Sequence, residues 1–178
     1  MFYMTTPRRL LSAGVLTLGV AGNALALDEC QLNLSEPLLD FGQMNRLTQN
    51  DGDAQRLLGE RRVSLSLSCP QALDPSLFYT ALAASAQRFR FTEGGSYEIQ
   101  VSDAVLDGKS VELGLLPGVG QAPAASAATL IWRPEHGVAP VQNGAVLSGK
   151  HFAVQLSVKA WADIAATQVR DATTWDVS

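Results

Sequence analysis

Val63-Ser64-Leu65-Ser66-Leu67-Ser68-Cys69 alternates apolar and polar residues without a break. A period of two sends successive side chains to opposite faces of an extended chain, so Val63, Leu65, Leu67 and Cys69 share one face and the serines the other. A helix would scatter those apolar groups around its whole circumference, so the pattern commits the segment to a half-buried strand. Phe152, Val154, Leu156 and Val158 repeat it, with Ala153, Gln155, Ser157 and Lys159 opposite. Tyr97, Ile99 and Val101 are a shorter instance, and Gln31–Leu34, Leu38–Phe41, Ser110–Leu115 and Thr129–Trp132 are weaker ones.

The breaks between these runs carry turn chemistry. Asn50-Asp51-Gly52-Asp53 and Glu93-Gly94-Gly95-Ser96 are turn clusters, and Asp107-Gly108 reads as a hairpin turn. Gly118 to Ala128, rich in Gly, Ala and Pro, reads as a surface loop. Leu77 to Ala86 is rich in alanine and is the one stretch where a helical turn competes with a strand. Many short strands separated by turns predict an all-β sandwich, and no repeat or linker divides it.

Composition narrows the function classes. Of 178 residues, 47% are hydrophobic, which excludes a disordered chain. Thirteen basic residues against seventeen acidic leave no footprint for nucleic acid. The N-terminus reads as a secretory leader: Arg8 and Arg9 precede the apolar run Leu10 to Ala21, and Ala24-Leu25-Ala26 is a signal-peptidase pattern. The expected boundaries are 1–26 for the leader, cleaved after Ala26, and 27–178 for one domain. The run is too short to read as a membrane anchor, and no later stretch spans a bilayer, so no membrane span is expected in the mature form. Losing Arg8 and Arg9 takes the formal net charge from −4 to −6. In an oxidising compartment the simplest reading of Cys30 and Cys69 is one intramolecular disulfide, worth roughly 3–4 kcal/mol by loop closure. Free thiols or an intermolecular bridge are the rival reading.

Candidate chemistry is sparse. His136 and His151 have no Cys or His at ligand spacing, so no metal or cofactor site is read there. The glycine-rich stretch 114–120 lacks the Lys-Ser/Thr of a phosphate loop, and no Gly-x-Ser-x-Gly elbow occurs. Asp103, Asp107 and Glu112 lie near one turn, where a bound cation is the sharper reading and solvated turn acids the plainer one. The enzymatic reading is a small hydrolase in which the fold brings two carboxylates together as in a glycosidase. Asn33-Leu34-Ser35 is formally a glycosylation acceptor. Trp132, Trp161 and Trp175 are candidate sugar platforms, with packing the commoner role. No catalytic residue emerges, and the chain reads as a non-enzyme.

The order of segments carries a resemblance. A leader is followed by Cys30, then Leu39-Asp40-Phe41-Gly42, then a polar stretch and the strand Leu58-Gly59-Glu60-Arg61-Arg62-Val63-Ser64-Leu65-Ser66-Leu67-Ser68-Cys69-Pro70. This resembles the first half of the pilin domain of Gram-negative chaperone–usher fimbriae. The stretch from Gly95-Ser96-Tyr97-Glu98-Ile99 to Lys109-Ser110-Val111 is similar to the middle of an uncharacterised fimbrial-like family of that system.

The resemblance implies an immunoglobulin-like sandwich lacking its last strand, with a Cys30–Cys69 disulfide tying its first two strands together. It implies a periplasmic fimbrial chaperone, an outer-membrane usher and other fimbrial subunits as partners, and a path through the periplasm to a cell-surface fimbrium. A guest strand would fill an open groove by β-augmentation. Its lining is expected from Leu38 and Phe41 and from Phe152, Val154, Leu156 and Val158, over a floor of Val63, Leu65 and Leu67. Cleavage after Ala26 would leave only Leu27, Asp28 and Glu29 before Cys30, too few for a donor strand, hence a terminal or tip-located, adhesion-related subunit. Trp175 and Val177 alternate as a short closing strand would. The competing functional reading is a free-standing secreted or periplasmic sandwich that binds carbohydrate.

Overall fold

Alternation and turns resolve into strands throughout. The computed structural model describes residues 29–43, 55–163 and 174–177, so the leader, Ala26 and the 50–53 turn cluster lie outside the described residues. The described residues form fourteen strands in chain order: β1 Gln31–Leu34, β2 Leu39–Gln43, β3 Gln55–Leu73, β4 Leu77–Phe78, β5 Phe89–Thr92, β6 Gly95–Leu106, β7 Lys109–Ser110, β8 Glu112–Leu116, β9 Ala125–Ala127, β10 Leu130–Trp132, β11 Gly137–Gln142, β12 Ala145–Val146, β13 Gly149–Asp163 and β14 Thr174–Val177. No helix occurs among the described residues, and none is therefore long and apolar enough to cross a membrane.

Two antiparallel sheets form the body. The larger runs β1-β3-β13-β6-β10, with β5 and β7 also paired to β6; the smaller runs β12-β11-β8-β9, with β4 on β11. Between them lies one core, in which Val101, Phe152 and Val154 from the larger sheet pack with Leu113, Leu115 and Val138 from the smaller. A third pairing joins β14 to β2, Val177 opposite Leu39, so the C-terminal segment is a strand laid on the N-terminal one.

β13 is the clearest case of sequence dictating geometry. Phe152, Val154, Leu156, Val158, Ala160 and Ala162 are all buried, while the residues between them face out. β6 follows the same rule with one interruption. Tyr97, Ile99 and Val101 point inward, then Ala104 and Leu106 do, a change from odd to even positions. The register explains it: Gln155 pairs with Ser102 and Ala153 with Val105, so Asp103 and Ala104 together face Val154. Asp103 has φ 51°, a left-handed bulge residue that absorbs the extra position and restores the inward phase.

The hairpins close on two-residue turns. Asp107-Gly108 joins β6 to β7 and Asn143-Gly144 joins β11 to β12, each with positive φ at both central residues. Such turns match the twist of paired strands and favour Asn or Asp followed by Gly. Leu77 to Ala86 forms no helix: β4 pairs with β11 and Ala83 bridges Phe89. Its alanines offer too little apolar surface to seat a helix on the sandwich. The 118–128 loop is tied down more than a surface loop need be, since β9 pairs with β8 and Pro123 sits over Gly114.

Candidate functional site

The fold disperses the chemistry-bearing side chains. Asp107 turns its carboxylate onto the backbone, accepting from the N–H groups of His151 (2.9 Å) and Lys150 (3.0 Å). Those two bonds hold its carboxyl below the usual range. Asp103 accepts from Ser102 Oγ at 2.9 Å on the outer face of β6. Among the described residues no group of three or more His, Cys, Asp or Glu is placed to hold a metal ion, and Glu112 joins neither aspartate in one. His151 Nδ1 pairs with Ser68 Oγ at 3.0 Å, and His136 Nδ1 lies 2.9 Å from the Pro134 carbonyl.

The aromatic residues are engaged as well. Trp132 is buried and donates its indole N–H to the His136 carbonyl at 2.8 Å. Trp161 has the Arg88 guanidinium 3.9 Å from its ring centroid, so one face is already covered. The Trp175 side chain lies outside the described residues. Burial, then the 2.6 Å bond to Tyr79, pushes the Tyr97 phenol well above its ordinary range. A furrow of about 460 Å³ crosses the outer face of the larger sheet, lined by Arg62, Gln100, Gln155 and Ser157 among others. Within it Glu60 accepts from Ser157, which with Lys159 keeps its carboxyl acidic.

A different kind of site lies at the edge of the larger sheet. Residues paired across strands share a face, so the inner face can be read as rows. One row runs Leu32, Leu67, Phe152, Leu106; the next runs Leu34, Leu65, Val154. Phe152 is 1% exposed at the centre, Leu67 is half-buried, and Leu32 at the end is 59% exposed. Leu34 is 42% exposed at the end of its own row. The apolar inner face therefore continues past the layer that covers it.

Among the described residues no strand pairs with the backbone at that edge. β1 is the terminal strand of its sheet. Ser35 donates its N–H to the Ser64 carbonyl at 2.9 Å, which fixes the alternation of the strand. The N–H and C=O groups of Leu32 and Leu34 consequently face away from β3, on the side where no described strand pairs with β1. At one end β1 is held by the Cys30–Cys69 disulfide, which closes a separation of 39 residues. At the other, Ser35 Oγ accepts from Ser64 N–H at 3.0 Å as the chain leaves through Pro37. Beyond it β2 sends Leu39 and Phe41 into the core, with Arg61 lying over the Phe41 ring and donating to the Asp40 carbonyl at 3.0 Å.

The residues expected to line a groove are placed as follows. Val63 and Leu65 are buried, and Leu67 partly, on the same inner face as Phe152, Val154, Leu156 and Val158. β13, however, is bonded to β3 on one edge and β6 on the other, so its backbone offers no free edge. Phe41 is buried, but Leu38 is 54% exposed, and Leu39 takes the inward place. Two positions three apart cannot share a face of one strand, which is the physical reason. Leu32 and Leu34 were visible only as a weak strand, because four residues give one repeat of alternation and nothing in that repeat says the inner face goes uncovered. No family model matches the sequence, and neither a curated protein nor a solved structure is significantly similar to it.

Proposed function

We propose that this chain is a chaperone–usher fimbrial or fimbrial-like subunit, an exported sandwich of immunoglobulin-like type that is completed by an extended strand from another polypeptide. The observation that carries the reading is the β1 edge, which no described strand pairs, and where the outward backbone groups of Leu32 and Leu34 coincide with the exposed ends of two apolar rows. Edge strands are ordinarily short, charged, proline-bearing or covered, because an open edge templates pairing. β1 carries neither lysine nor proline. A guest strand there would gain backbone hydrogen bonds from the edge and bury the two leucines against its own inward side chains. The order of segments that resembles pilin domains supports the same reading, and it supplies the partners: a periplasmic chaperone during export, an usher, then a neighbouring subunit.

The test is expression of the full chain in a Gram-negative periplasm, alone and with a fimbrial chaperone from the same source. A soluble one-to-one complex with the chaperone, and aggregation or degradation without it, is the expected result. Leu32→Asp together with Leu34→Asp should abolish the complex, since both side chains are exposed in the free chain and the charge harms docking more than folding. A stable, soluble monomer that ignores the chaperone would overturn the assignment.

A further inference from the structure

β1 is bracketed by acid. Glu29 precedes the disulfide and Glu36 follows the Ser35 latch; both are exposed, and neither has an ion-pair partner among the described residues. Between them the outward backbone groups belong to Leu32 and Leu34, and the side chains of Gln31 and Asn33 are neutral. The edge is thus uncharged where a strand would hydrogen-bond and negative at both ends.

That arrangement bears on which strand fits. Two copies of this chain pairing through β1 about a two-fold axis would run antiparallel. With the outward-facing Leu32 of one copy paired to Leu34 of the other, Glu29 of one copy would lie one position from Glu36 of the other, twice over, and like charges that close across a strand pair oppose association. The same two carboxylates attract a strand of opposite character. Resting on the strand-docking reading above, we infer that the occupant of β1 is an extended segment of a different polypeptide with two apolar residues at alternate positions and a basic residue toward each end. The basic residues would stand about seven positions apart, the separation of Glu29 and Glu36. Charge at the ends sets the partner while the leucine rows supply the contact.

The experiment uses the disulfide-bonded chain and two labelled ten-residue peptides, read by fluorescence anisotropy. Both peptides carry valine at alternate interior positions; one has arginine at positions 2 and 9, seven apart as Glu29 and Glu36 are, and the other has glutamate there. The arginine peptide should bind about tenfold more tightly at low salt, with the gap narrowing as salt is raised. Glu29→Lys with Glu36→Lys should reverse the order of the two peptides, and Leu34→Asp should weaken both. Equal binding of the two peptides, or an unchanged preference in the double lysine variant, overturns the charge assignment while leaving strand docking intact. Failure of both peptides to bind any variant overturns strand docking itself, and the inference with it.

Discussion

Asp107 shows how one side chain can serve both a turn and a strand. Its backbone occupies the first left-handed position of the β6–β7 hairpin, and its carboxylate caps the two N–H groups at the irregular start of β13. The carboxylate is the form that accepts those bonds, so the native carboxyl titrates lower than it would unfolded. The sign follows: its contribution is complete above the unfolded value of about 3.9 and disappears as pH falls through the lower native value. Asp107→Asn keeps the turn preference and one acceptor oxygen but removes the charge. Urea midpoints for the two proteins should differ at pH 6 and converge toward pH 2. A gap that stays constant over that range would show that the charge plays no part.

Strands are where the sequence was most and least legible. Val63–Cys69 and Phe152–Lys159 announced their faces because each keeps one phase over its whole length. β6 did not, since the bulge at Asp103 changes the phase and the alternation read from sequence stops at Val101. The signal was present in Ala104 and Leu106, but a phase change can be recognised only when a bulge is allowed for. Asn143-Gly144 is as strong a hairpin signal as Asp107-Gly108, yet it sits between short runs that do not alternate. Strand pairing was beyond reach altogether. Nothing in the spacing of Phe152 to Val158 says that both edges of β13 are taken, because partners are chosen by the whole sheet. The bulge also makes a prediction. Deleting Asp103 removes the extra residue and leaves Ala104 and Leu106 facing inward, so it should cost little stability. Deleting Gln155 instead turns Leu156, Val158 and Ala160 outward and should prevent folding. Soluble yield and urea unfolding of the two deletion variants distinguish these outcomes, and equal damage from both would contradict the register.

Taken whole, the molecule is an unequal sandwich. Its larger sheet spreads beyond the smaller one, and the mismatch falls at β1. Among the described strands paired on one side only, β9, β10 and β12 are two or three residues long, which itself limits pairing, and β5, of four, carries Arg90. β1, also of four residues, is pinned by a disulfide, neutral along its length and apolar on its inner side. The sparse charge of the chain, 17% of residues, fits the same picture, since the middle of the outward face of β3 and β13 presents Ser64, Ser66, Ser68, Ala153, Gln155 and Ser157. The central claim is that β1 accepts a strand. Amide hydrogen exchange on the purified complex with a fimbrial chaperone tests it directly, through the N–H groups of Leu32 and Leu34. They should exchange rapidly in the free chain and become strongly protected in the complex. A complex that forms with those two amides still exchanging freely, and protection confined to other strands, would contradict the account.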